Sequence, residues 1–176
     1  LFPVWLQGVN TFFRQEHPAP RITLDAEAAR EHLPLAMGEL GLDEPPSIAL
    51  LVDDSPGAAK QAEYFQSLYG TQLGIDIRID RQIFKQRLAK MQGQDFDPAV
   101  YGWGPDFADP LTFGELFASW NPNNNGRFNN KEYDESVRLA QSSLNPQIRM
   151  EAFARQQEIL IEEVALIPNY ERGRVY

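Results

Sequence analysis

The chain has no cysteine, two histidines in 176 residues, and no apolar run that approaches a membrane span. Without cysteine there is no disulfide, no thiol nucleophile and no zinc-thiolate site, and the redox compartment is left open. A spanning helix needs about 20 consecutive apolar residues. Positive charge is also scarce, with 16 Lys and Arg against 25 Asp and Glu and a net charge of −9. Nucleic acids and anionic membrane surfaces attract basic patches, so neither is expected as a partner. The acidity reads as a solvated surface.

Catalytic signatures are missing as well. His17 and His32 lie far in sequence from any Ser or Asp cluster, and there is no nucleophile elbow or phosphate loop. The acid pairs Asp53-Asp54 and Glu162-Glu163 are adjacent, and neighbouring side chains on a strand or helix point apart. No enzyme activity and no cofactor is expected.

What the chain does have is 43% apolar content with 11 Phe, 6 Tyr and 3 Trp, enough for a real core. Leu1 to Arg21 mixes Pro3, Pro18 and Pro20 with aromatics in no sustained period, and reads as an irregular leader. From residue 22 to 176 one α/β domain is expected. Asp25 is a candidate N-cap for a helix ended by Gly41, which Pro34 should kink or split. The apolar run Ser47–Val52 reads as a buried strand and the alternating Ile75–Ile79 as another, with a helix over 58–73 between them and Gly74 as its stop. A helix over 81–92 and a strand at Pro98–Val100 follow. This order implies right-handed crossovers and parallel pairs, with ligands beyond the carboxyl ends of the strands. Further on, the pattern predicts a short helix over 110–119, two more over 132–144 and 147–164, and an edge strand over Ala165–Tyr170.

The stretch Tyr101-Gly102-Trp103-Gly104-Pro105-Asp106-Phe107-Ala108-Asp109-Pro110 follows the third predicted strand. Glycine lets another backbone come close, an indole offers a flat apolar wall with one donor, and a carboxylate can pair with a cation. Each residue also has a plainer reading: Asp106 as a cap of the next helix, Trp103 as a core aromatic, and Gly102 and Gly104 as turn punctuation. Phe107 and Asp109-Pro110 read as a lock on the turn, although Phe107 is kept among the site candidates.

The stretch resembles the peptide-binding members of the family 5 extracytoplasmic solute-binding proteins, receptors of oligopeptide and dipeptide ABC importers. There a strand reading G-W-x-x-D-[YF]-x-[DE]-P enters the cleft between two lobes, and Gly102, Trp103, Asp106, Phe107, Asp109 and Pro110 match it in order. The likeness continues through Asn123-Asn124-Asn125, Phe128-Asn129-Asn130, Tyr133-Asp134 and Arg149 to Pro168, covering roughly residues 20 to 172.

The resemblance implies a periplasmic-binding-protein-like lobe (type II, peptide-binding class), a mixed sheet flanked by helices, with 22–176 forming most of the C-terminal lobe. The chain would then be a fragment whose first lobe and secretion or lipoprotein signal lie elsewhere in the parent. Its partners would be a peptide ligand, the missing lobe and the importer's membrane subunits, outside the cytoplasm of a bacterium, with a lipid anchor on the parent as the membrane link. Tyr101, Gly102, Trp103, Gly104, Asp106 and Phe107 would contact ligand, Asp106 taking the peptide's amino end. Asn124 or Asn125 would sit at the cleft rim. Other cargoes of the same fold are a metal chelate, a sugar or a small amino compound, and the same lobes can serve as the sensor of a transcription regulator. A calcium reading of Asn121, Asn123, Asn125, Gly126 and Glu132 supplies too few carboxylates, so no metal is expected.

Overall fold

A computed structural model describes residues 1–171. Along them the chain forms α1 (Phe13–Glu16), α2 (Ala26–Leu40), β1 (Ile48–Asp53), α3 (Pro56–Leu73), β2 (Ile77–Gln82), α4 (Phe84–Gly93), α5 (Leu111–Gly114), α6 (Lys131–Ser142) and α7 (Pro146–Glu162). They belong to two compact units. One is Ile22–Gly102, and the other joins Leu1–Arg21 to the chain from Trp103 onward. The expected division into a leader and a lobe over 22–176 is therefore drawn differently, and residues 172–176 of that lobe lie outside the described residues.

The Ile22–Gly102 unit is built on a β-α-β crossover. β1 and β2 pair in parallel from Ile48 opposite Ile77 to Asp53 opposite Gln82. Leu50 and Val52 share one face of β1 and pack with Ala62 of α3, Ile75 and Ile77. The stop and start signals around α3 act as the sequence suggests. Ser55 accepts the Ala58 N–H, Pro56 opens the first turn, and Gly74 takes a left-handed φ of 69°. The third predicted strand is reduced to a single parallel bridge, Leu51 to Ala99, on the other edge of β1. Among the described residues the sheet is thus purely parallel rather than mixed. β2 runs on through Arg81, so α4 begins at Phe84, after the predicted position.

Helix α2 is not split at Pro34 and has no buried residue. Asp25 accepts the Ala28 N–H at 3.0 Å and Gly41 closes the helix at φ 66°. Arg30 ties α2 to α3, its Nε donating to the Gln72 carbonyl at 3.0 Å.

In the other unit α6 and α7 form a helical hairpin joined at Ser143–Asn145. Its core contains Phe2, Leu6, Phe13, Phe113, Ala140, Met150, Ala152 and Phe153. The Phe2 ring meets Phe13 and Phe153 edge-on, with centroids 4.8 and 5.8 Å apart. The irregular leader is therefore part of a core: proline excluded a long helix there, but isolated aromatics can pack without one. A second cluster joins Tyr133, Val137, Ile159 and Leu160, with the Tyr133 hydroxyl donating to the Gly114 carbonyl at 2.7 Å. The approach is close at Gly114, where a Cβ would collide with the Gln156 amide and lie 3.1 Å from the Phe153 ring. The predicted helix over 110–119 shrinks to the single turn α5, continued by further turns. Ala165–Tyr170 forms no strand. Its apolar start, Ala165 and Leu166, packs on the Tyr133 cluster instead.

Two local features give expected outcomes. Glu16 accepts the backbone N–H groups of Val9, Asn10 and Thr11 at 2.8, 2.6 and 2.6 Å. These three bonds, led by the one from Val9, hold its carboxyl below the ordinary range. A depressed carboxyl contributes stability above its unfolded-state value, about 4.3, and loses it as pH falls through the folded value. In an NMR titration the three amide protons should shift together, with a midpoint below about 4.3, and Glu16→Gln should abolish the transition. Independent shifts, or a midpoint above that value, would contradict the latch.

The second feature is at the end of α7, where Val164 and Ala165 donate to Ile161 and Leu160 at 3.2 and 3.0 Å, the Schellman pattern. That places Val164 at φ 50°, where a β-branched residue is strained. Val164→Gly should raise unfolding free energy by about 1 kcal/mol in denaturant titration; no gain would mean that the strain is absent in solution.

Candidate functional site

Tyr101 and Gly102 end the Ile22–Gly102 unit, and Trp103 begins the other. From Tyr101 to Ala108 every residue is exposed and the backbone is irregular. Tyr101, Trp103 and Phe107 are 42%, 37% and 46% exposed, so none is a core aromatic. A Cβ added at Gly102 or Gly104 would meet nothing within 4 Å, and neither has a left-handed φ. Among the described residues, neither packing nor backbone conformation explains these two glycines.

The two aspartates of the stretch have different fates. The Asp109 Oδ1 accepts the Leu111 N–H at 2.9 Å, the local job that a helix-start Asp performs. Both Asp109 oxygens also accept from Arg149 Nη2, at 2.9 and 3.0 Å. Asp109 thus locks the turn, as its position beside Pro110 suggests. Asp106 uses only its backbone there, its N–H donating to Thr112 Oγ1 at 3.0 Å. Its exposed carboxylate makes no hydrogen bond or ion pair among the described residues. The cap reading of Asp106 belongs to Asp109 instead.

The Asn-rich loop is mostly occupied with itself. Asn124 is 7% exposed, and its Nδ2 donates to the carbonyls of Phe117, Ala118 and Phe128 at 3.4, 3.3 and 2.8 Å. Its Oδ1 accepts the Phe128 N–H at 3.0 Å. The amide is spent holding the loop closed, which leaves no free group for the ligand contact expected of it. Asn125 is half-buried, its Nδ2 donating to the Asn123 carbonyl at 3.1 Å. Asn130 caps α6 through the Tyr133 N–H. Glu132, the carboxylate of the discarded calcium pattern, is held by Arg155 at 2.6 Å. That pairing depresses its pKa.

Sequence reasoning missed Arg149 and Thr112, the two side chains that fasten the stretch. Arg149 is the third residue of the predicted helix over 147–164, and no periodicity marks it as facing Asp109. Thr112 is 1% exposed within an apolar turn, where a small hydroxyl leaves no sequence signal.

The family model described as "Bacterial extracellular solute-binding proteins, family 5 Middle" matches residues 3–125. The oligopeptide-binding protein OppA of Bacillus subtilis (strain 168) is 29% identical over 150 residues, which is 83% of this chain and 28% of that protein. Among solved structures, the substrate-binding domain of an oligopeptide ABC transporter from Bacillus anthracis str. Ames superposes with a TM-score of 0.83 at 30% identity, covering 89% of this chain and 31% of that one. Listeria monocytogenes OppA bound to peptide gives a TM-score of 0.78 at 29% identity, with 91% and 30% covered. The chain thus spans less than a third of the length of these relatives. No helix among the described residues is long and apolar enough to cross a membrane. With the family model covering residues 3–125 and the same α/β fold in solved binding proteins, the chain belongs to the bacterial extracellular solute-binding proteins of family 5.

Proposed function

We propose that the chain is the C-terminal portion of a two-lobed receptor that captures peptides for an ABC importer, without chemistry on the cargo. The receptor works outside the bacterial cytoplasm, in the periplasm or held at the cell surface by a lipid anchor on the full-length protein. Its partners are the importer's membrane subunits.

The observation that carries this reading is the exposed Asp106 carboxylate, left without a partner among the described residues while Asp109, three residues on, is fully used. A free α-amine has a pKa of about 7.7–8.0 and is mostly protonated at neutral pH. A charge-assisted bond to Asp106 would hold that end of an extended peptide. The open faces of Gly102 and Gly104 allow ligand backbone to lie against the chain, and main-chain pairing gives affinity without reading sequence. Tyr101, Trp103 and Phe107 supply exposed aromatic walls for ligand side chains, and Asn125 a polar rim. Hinge closure over the peptide would then present a liganded shape to the importer.

Calorimetric titration of the full-length protein with a pool of di- to pentapeptides tests this. Asp106→Ala should weaken binding by more than about tenfold, roughly 1.4 kcal/mol. Equal affinity for N-acetylated and free-amine peptides would remove Asp106 as the anchor, and no heat with any peptide would turn the reading to another cargo.

A further inference from the structure

We propose that Arg149 is a positioning residue for ligand capture: by bonding both Asp109 oxygens through Nη2 it sets the place of the Asp106 carboxylate and leaves Asp106, among the described residues, the one uncompensated acid of the stretch. This rests on the peptide-capture reading above.

Residues 103–110 belong to no strand or helix, and an anchor on irregular exposed chain is a poor one unless the chain is ordered beforehand. A ligand would otherwise have to order it on binding, and affinity falls by that cost. Two fastenings do the ordering. The Asp106 N–H is tied to Thr112 Oγ1 at 3.0 Å, and Thr112 is itself buried. Three residues on, both Asp109 oxygens lie 2.9 and 3.0 Å from Arg149 Nη2. The guanidinium is fixed in turn, since Nε donates to the Ala140 carbonyl at 2.9 Å and the group lies over the buried Phe153 ring, 5.6 Å from its centroid. Arg149 therefore joins the stretch to both helices of the α6–α7 hairpin. Lysine, a point charge on a flexible stem, could not make both contacts at once.

The second effect is electrostatic. With Asp109 neutralised, a ligand ammonium near the stretch has one acid to choose; with Asp109 released, two carboxylates would compete and the amino end would lose its register. Arg149 touches no ligand in this scheme.

Titrating the full-length protein with one pentapeptide, in free-amine and N-acetyl forms, reads the effect as a preference ratio. Arg149→Met should lower free-amine affinity about tenfold, the size of one charge-assisted bond, and leave the acetylated form unchanged. Arg149→Lys should fall between, Thr112→Val should also reduce the preference, and in an Asp106→Asn background Arg149→Met should have no further effect. A lowered melting temperature with an unchanged ratio would overturn the proposal. If Arg149→Met does not fold, an unchanged ratio in both Arg149→Lys and Thr112→Val overturns it. Loss of preference in Asp106→Asn but not in the Arg149 variants would leave the capture reading standing and remove this inference alone. Wild-type protein without free-amine preference would remove both.

Discussion

The bond from Arg149 to Asp109, with the Asp106 N–H tied to Thr112, holds a segment that has no regular secondary structure of its own. Residues 103–110 form no ladder and no helix, and from Trp103 to Ala108 all are exposed. Their position comes from a guanidinium seated on a buried ring and bonded to a carbonyl of the adjoining helix. Each partner is only partly exposed, so the pair escapes much of the screening that makes surface ion pairs weak. The hairpin that carries Arg149 is in turn held by Phe2, Phe13 and Phe153, which brings the first residues of the chain into the same chain of dependence.

A division between spent and unspent polar groups runs through the described residues. Asp109, Asn124, Asn130 and Glu16 all point at backbone donors or fixed cations and each closes a turn or starts a helix, while Asp134 of α6 accepts from the Ser119 N–H and hydroxyl. The cost of an unpaired buried polar group makes such closure necessary wherever irregular chain runs into an interior. Asp106 faces water and is under no such demand. Asp109 therefore takes both local roles, the turn lock expected of it and the helix-start bond expected of Asp106, and the Asp106 side chain takes neither among the described residues.

The elements that were legible in the sequence are those governed by local rules. Asp25, Ser55, Gly41 and Gly74 mark the ends of α2 and α3 because capping is satisfied within a few residues. Elements that depend on a distant partner were misread. Pro98–Val100 and Ala165–Tyr170 have strand composition, but a strand needs a neighbour to bond: the first finds one bridge, and the second buries its apolar start on helices. Residues 1–21 lack any period, and periodicity reports regular structure rather than burial, so Phe2, Leu6 and Phe13 gave no sign of being core. α7 stops at Glu162 although its apolar pattern continues, because Val164 adopts the left-handed conformation that a glycine usually takes.

By itself the sequence determined the family, through Gly102, Trp103, Asp106, Phe107, Asp109 and Pro110 in order, along with the parallel β-α-β crossover and most helix ends. Those are properties of neighbouring residues, set by backbone sterics, capping and hydrophobic period. Which aspartate is bound internally, that Asn124 is consumed by its own loop, and that Arg149 and Thr112 do the fastening were decided only by the tertiary structure. Arg149 lies 40 residues from Asp109 along the chain, and no local rule links charges across that distance; only the packing of the hairpin brings them within a hydrogen bond.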